Sequence, residues 1–276
     1  MYTYRRSGEN AEVGVRFFGS FLVLVVSWTL LNPASTAASG LLPVVLCKGV
    51  PKTVTCKRIA PGLPFETAAY VYKGANPGPV VLVQAGIHGN EPAGTLALEE
   101  WIQELKVTNG TLVLIPRMNV KALEVGRRFV DRDLNRSFPG DGDARQLESR
   151  LASYLYKFVQ ELHPELVITL HESRLDQVVH KACCGHSLIH VTRSPSKRLK
   201  AVLQRINQDA KTRFDRFVAH YARDRGACSE TYIDDFGAEA YSVESWVKAP
   251  LPQRITLHQQ VVQAFLDEWG VKTNLR

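Results

Sequence analysis

Apolar residues gather in three short, nearly unbroken runs, Pro79–Gln84, Gly110–Pro116 and Glu165–Leu170. Runs of that length and β-branched content predict strands buried on both faces. Segments with apolar residues at helical spacing follow them: Leu96, Leu98, Trp101, Ile102 and Leu105 behind Pro92, then Leu147, Leu151, Leu155, Phe158 and Leu162 within Ala144–Leu162. Shorter strand signals stand at Val44–Leu46, Val54–Arg58, Ala68–Tyr72 and Ala240–Trp246, and Leu257–Trp269 reads as a closing amphipathic helix. Strands alternating with helices of these lengths predict an α/β sandwich around a largely parallel sheet.

The N-terminus breaks this pattern. Arg5, Arg6 and Arg16 precede a 15-residue apolar run, Phe17 to Leu31, and small residues follow from Ala34 to Gly40. These are the three parts of an export signal, and the run is shorter than the roughly 20 residues a spanning helix needs. Residues 1–38 are therefore expected to be a signal peptide cleaved after Ala37 or Ala38, or else an uncleaved anchor. Either way the remaining residues, 39–276, are expected to form one catalytic domain in the periplasm or outside the cell.

The chain carries a formal charge of +7, of which three Arg and two Glu in the first 38 residues supply +1. Lys and Arg are dispersed among acidic residues rather than gathered in a stripe, so no nucleic-acid partner is expected. A membrane is expected to be met only through an uncleaved N-terminal segment. Five cysteines fit an exported chain with one or two disulfides and an odd thiol over. Cys47 and Cys56 bracket a hairpin-like Lys48-Gly-Val-Pro-Lys52 and are the expected pair, while Cys183, Cys184 and Cys228 stay unassigned. The cluster of His180, Cys183, Cys184, His186 and His190 has a spacing that matches no common structural zinc site.

Candidate chemistry centres on Gln84–Gly94. Gly86 and Gly89 flank His88, which opens backbone angles closed to other residues and brings His88 and Glu91 together at the carboxyl end of the first buried run. In open α/β sheets that end is where ligands bind. An imidazole and a carboxylate three residues apart are two of the three protein ligands a catalytic zinc takes, with the fourth position left to water. Read alone, the turn equally accommodates a His and a Glu that merely cap the helix. His171, directly after the third buried run, supplies a third donor, with Glu172 beside it as a candidate supporting group. The loop Gly126–Gly140 holds four Arg, Asn135 and two Asp. Guanidinium groups bind carboxylates in pairs of hydrogen bonds and stabilise oxyanions, although the same composition suits a solvated loop with internal ion pairs.

Three motifs in order, Gly86-Ile-His-Gly-Asn-Glu91, Arg128-Phe-Val-Asp-Arg-Asp-Leu-Asn-Arg136 and Leu170-His-Glu172, resemble those of the zinc carboxypeptidase clan. Within it they are most similar to the succinylglutamate desuccinylase and aspartoacylase family, over roughly Val80 to Glu244. The resemblance implies a three-layer α/β/α sandwich with a mixed, largely parallel central sheet. It also implies one zinc ion per chain, held by His88, Glu91 and His171. Arg128 would polarise the scissile carbonyl, and Asn135 and Arg136 would grip a free carboxylate of the substrate. Asp133 would orient a zinc-bound His, and Glu244, in Ala240–Trp246, would act as general base.

Two departures shape the expectation. Thr169 stands where many relatives carry Asp, and only 32 residues follow Glu244. The β-rich domain that narrows the site of aspartoacylase-like enzymes is thus not expected, and an uncapped crevice would admit more than a small N-acyl amino acid. The sequence therefore points to an exported zinc hydrolase that cleaves an amide bond beside a free carboxylate, in a peptide or cell-wall stem peptide. The alternatives are an N-acyl amino acid deacylase and a non-catalytic zinc-bound module that binds carboxylate-terminated peptides.

Overall fold

Residues along the central strands alternate strictly between two apolar faces, and that alternation builds the molecule. The computed structural model describes residues 46–174, 185–213 and 215–274, all within the compact unit Ala37–Arg276. Strands β1 (Val54–Ile59), β2 (Thr67–Lys73), β3 (Asn76–Ala85), β4 (Val107–Ile115), β5 (Leu166–Ser173), β6 (Ser187–His190), β7 (Val218–Tyr221) and β8 (Glu239–Trp246) lie in one sheet, in the order β1-β2-β4-β3-β5-β8-β6-β7. A two-residue β9 (Lys272–Thr273) pairs with β4. The four middle strands, β4, β3, β5 and β8, run parallel, while β2, β6 and β9 join them antiparallel. The sheet is mixed with a parallel centre, as the resemblance implied.

Val81, Val83, Leu166, Ile168 and Val243 face one core, which α1 (Pro92–Glu104), α4 (Lys197–Ile206) and α6 (Leu251–Trp269) cover. Their neighbours Leu82, Val113, Val167 and Ala240 face the other, beneath α3 (Leu147–Leu162) and α5 (Cys228–Phe236). A period of two with both sides buried leaves no solvent face, which is why these strands read as continuous apolar runs. A short α2 (Val120–Val125) and a single 3-10 turn (Leu134–Arg136) interrupt the segment between β4 and α3.

Several sequence expectations shift. Of the expected strand at Val44–Leu46, Val44 and Val45 lie outside the described residues, and Leu46 opens a turn. α3 starts at Leu147 rather than Ala144, because Asp131 receives the Leu147 amide and ends the loop at that point. α6 begins at Leu251 rather than Leu257, with Pro252 in its first turn. The N-terminal segment and the His180, Cys183 and Cys184 part of the cysteine and histidine cluster fall outside the described residues. No described helix is long and apolar enough to cross a membrane.

Cys47 and Cys56 are bonded, with Cα atoms 5.6 Å apart, while Cys228 is free and buried. The bridge ties the segment leading into β1 to the strand itself, where Leu46, Cys47 and Val50 pack against the α1/α6 core. Closing a loop of this size removes roughly 2–3 kcal/mol of unfolded-chain entropy. Reduction should therefore lower unfolding free energy by about that amount in denaturant titrations. Alkylation of Cys47 or Cys56 without reductant would contradict the bridge.

Candidate metal and active site

Strand β3 ends at Ala85, and the chain turns sharply into α1. Gly86 takes φ +70°, a conformation costly for a residue with a Cβ. Gly89 is needed for a different reason than the one expected from sequence: its φ is ordinary, but a Cβ there would stand 1.9 Å from the Ala122 carbonyl oxygen of α2. The turn is pinned by Met118 and Asn119, whose amides donate to the Ala85 and Gly86 carbonyls. His88 and Glu91 thus project from a rigid turn, and Glu91 makes no side-chain cap to α1, so a capping role does not account for it.

His171 does not stand past its strand end, as the sequence implied, but within β5, two residues before the strand stops, whereas Glu244 stands near the end of β8 as expected, two residues before Trp246. They are register partners on adjacent parallel strands. Pairing between neighbouring strands carries the backbone on past the point where the apolar pattern ends. Both follow residues of the α1/α6 face, so both point to the other face, where the β3 turn also delivers His88 and Glu91.

The result is a buried cluster in which one donor atom each from His88, Glu91 and His171 lies within 4.8 Å of the other two. His88 Nδ1 is 2.8 Å from Glu91 Oε1, and His171 Nδ1 is 3.0 Å from Glu91 Oε2. The Glu172 amide also donates to Glu91 Oε2 at 3.1 Å. On its far side, His88 Nε2 meets Asp133 Oδ1 at 3.0 Å, so its ring is held between two carboxylates. Two imidazoles and one carboxylate are the donor set of catalytic zinc, and tetrahedral bonds of about 2.1 Å would separate such donors by roughly 3.4 Å, within the observed spread. The residues therefore fit the ion, and Asp133 would supply the outer carboxylate that fixes a ligating imidazole.

Charge follows from these contacts. Burial opposes ionisation of Glu91, yet the two imidazoles outweigh it and hold the carboxyl well below the usual carboxylate range, at about 2. Burial likewise keeps His171 below its ordinary value, whereas at His88 the carboxylates of Glu91 and Asp133 overcome burial and raise it. Glu244 has no such partner, and burial followed by the nearby Glu91 carboxylate pushes it up to about 8.

Arg128 reaches the same cluster from the Arg-rich loop, with Nε 3.0 Å from Asp133 Oδ2 and Nη1 3.4 Å from Glu91 Oε1. That loop is organised by a residue sequence reasoning passed over. Glu148, fully buried on α3, accepts the amides of Val130, Asp131 and Arg132 at 2.6, 3.0 and 3.2 Å and the Asn119 side chain at 3.2 Å. Asp133 then caps the 3-10 turn through the Asn135 amide. All of His88, Glu91, Arg128, Asn135, Arg136, His171 and Glu244 line one cleft of about 280 Å³, with Asp133 behind His88. Arg136 is not free in it, because Asp224 holds its guanidinium.

Glu172 plays a different part from the one expected beside His171. Its carboxylate points to the opposite face, accepts the Ala93 amide at the start of α1 at 2.7 Å, and pairs with Arg254 of α6. Only its main-chain amide touches Glu91. Thr169 receives a hydrogen bond from Gln84 and lies beside the Cys228 thiol, in the floor under α5.

The model of the succinylglutamate desuccinylase/aspartoacylase catalytic domain matches residues 77–267. The chain belongs to that family of hydrolases. It is 35% identical over 99 residues to N-alpha-acetyl-L-2,4-diaminobutyric acid deacetylase of Halomonas elongata, covering 34% of this chain and 28% of the relative. It is 27% identical over 207 residues to succinylglutamate desuccinylase of Pseudomonas fluorescens, covering 68% and 56%. The chain thus spans about half or less of these relatives' length. Among solved structures, mDAP-bound Csd4 of Helicobacter pylori, described as a D,L-carboxypeptidase, shares the fold with a TM-score of 0.64 at 19% identity, covering 72% of this chain and 52% of that one.

Two outcomes follow from the site's electrostatics. In chelator-treated protein the folded state keeps the Glu244 proton to about pH 8, while the unfolded chain releases it near 4.5. Between those values the native state binds more protons, so this carboxyl subtracts stability as pH rises. Metal-free Glu244→Gln should then match wild type near pH 4 and exceed it above pH 8 by on the order of a few kcal/mol; parallel stability curves would contradict this. Glu172→Ala should cost about 3 kcal/mol in denaturant unfolding by stranding Arg254, and adding Arg254→Met should recover most of it. No recovery in the double variant would show that the pair is not the cause.

Proposed function

We propose that this chain is an exported, zinc-dependent hydrolase that cleaves an amide bond beside a free carboxylate, in a peptide or cell-wall stem peptide. The observation that carries the reading is the convergence of a two-His, one-Glu donor set with Glu244 and Arg128 in a single cleft. A zinc ion held by His88, Glu91 and His171 would supply Lewis acidity and lower the pKa of an attacking water to near 7.

The protein groups divide the remaining work. The Glu244 carboxylate takes a proton from the attacking water and returns it to the departing nitrogen, the general acid and base roles of one group in sequence. A positive charge bound beside it favours the ionised form the first step needs. Arg128, anchored by Asp133, presents N–H groups to the carbonyl oxygen as negative charge develops there, a contribution of roughly 3–4 kcal/mol for a good donor. Asn135 and Arg136 hold the substrate carboxylate and so set which bond meets Glu244.

Export rests on the charged, apolar and small-residue segments at the N-terminus, and the Cys47–Cys56 bridge supports an oxidising compartment. A peptide substrate is supported by the fold shared with a D,L-carboxypeptidase. The names of the sequence relatives, a deacetylase and a desuccinylase, favour the second reading, an N-acyl amino acid deacylase.

Mass spectrometry of products from stem peptides and from a panel of N-acyl amino acids, with and without chelator, separates the readings. Cleavage confined to the small acyl compounds would overturn the peptide reading, and turnover unaffected by chelator would overturn the metal. Glu244→Gln should lower kcat by about 10²–10⁴-fold while zinc content stays stoichiometric.

A further inference from the structure

The cleft wall that carries Arg136 also carries a carboxylate. Asp224 Oδ2 lies 2.7 Å from Arg136 Nη2, with the two side chains 55% and 39% exposed. An isolated pair that open to water would be worth little. Here, however, the backbone fixes the meeting. The Phe138 amide donates to the Gly226 carbonyl at 3.1 Å, and the Cys228 amide donates to Asn135 Oδ1 at 3.1 Å. Gly226 takes φ +79°, and a Cβ on it would come within 2.9 Å of the Arg136 carbonyl oxygen. The Ala227 amide closes the turn onto the Asp224 carbonyl at 2.9 Å. Residues 224–228 are thereby locked against residues 135–138, and Asp224 is delivered to the guanidinium. Arg136 is oriented from its other side by Nη1, which donates to the Asn135 carbonyl at 2.8 Å.

A ligand carboxylate bound by Arg136 must share that guanidinium with Asp224. Two carboxylates on one cation leave a net negative charge around it, and like charges that close repel. Glu230, the other acid on this wall, is engaged by Arg223 through Oε1 at 2.8 Å. A cation on the ligand, close to its carboxylate, removes the conflict by pairing with Asp224.

We propose that Asp224 is a specificity residue, and that the preferred substrate carries an ammonium group, other than the scissile nitrogen, near the carboxylate held by Arg136. Substrates whose second charge is another carboxylate are disfavoured. The inference rests on the hydrolase reading above, and it gives the substrate's charge pattern.

The test uses zinc-loaded full-length protein and three matched N-acetyl amino acids, of ornithine, glutamine and glutamate, together with the three peptides ending in those residues. Wild type should favour the cationic member over the anionic by about 100-fold in kcat/KM, largely through KM. Asp224→Asn should shrink that ratio at least tenfold by weakening the cationic and improving the anionic member, and Asp224→Glu should restore part of it. Equal ratios in wild type and Asp224→Asn, or a wild-type preference for the anionic member, would overturn the proposal. If wild type turns over nothing, the hydrolase reading fails, and calorimetric affinities of the same compounds for the Glu244→Gln protein still decide this one. Tighter binding of the cationic member that Asp224→Asn abolishes supports it, and equal binding or none refutes it.

Discussion

One carboxylate is shared by two buried imidazoles and a main-chain amide, and the arrangement around it depends on the cost of leaving any of these groups unpaired. Glu91 accepts from His88, His171 and the Glu172 amide at the buried floor of the cleft. An uncompensated charge there would be expensive, so the turn after β3 and the carboxyl half of β5 must arrive in register. A cation among these groups would take one donor each from His88, Glu91 and His171 in place of the two imidazole–carboxylate pairings, while the Glu172 amide keeps its bond to Glu91.

Buried carboxylates recur as anchors at the next level out. Glu172 joins β5 to the first turn of α1 and, through Arg254, to α6. Glu148 gathers three consecutive amides and so shapes the loop that presents Arg128, Asp133, Asn135 and Arg136. Each ties a chemically active segment to a helix on a different face of the sheet, so the cleft is held from both sides. Asp133 continues the same logic with smaller reach, linking His88, Arg128 and the 3-10 turn. Placement on strands and on turns pinned by hydrogen bonds gives the cleft-lining groups little freedom to wander, which a reaction that depends on orientation would require.

The elements that sequence reasoning found are those whose burial imposes a period. β3, β4 and β5 are covered on both sides, α3 on one, and their patterns follow directly. The elements it passed over are α2, α4, α5, β6 and β7, each short and lying where burial is partial or only a few residues long. A four-residue strand such as Val218–Tyr221 owes its existence to the neighbour it pairs with, and nothing in its own residues marks it. The placement of His171 inside its strand has the same origin.

The sequence by itself determined the layered α/β architecture, the Cys47–Cys56 bridge and the residue types of the site. It could do so because a His and a Glu three residues apart, a run of β-branched residues and a cysteine-bracketed turn are local features with local consequences. Only the tertiary structure decided that Asp224 faces Arg136, 88 positions away, and that Glu148 and Glu172 anchor the loop and the helices around the cleft. Those meetings leave no periodic trace in the chain, since they arise from strand order and from backbone turns that pack against one another.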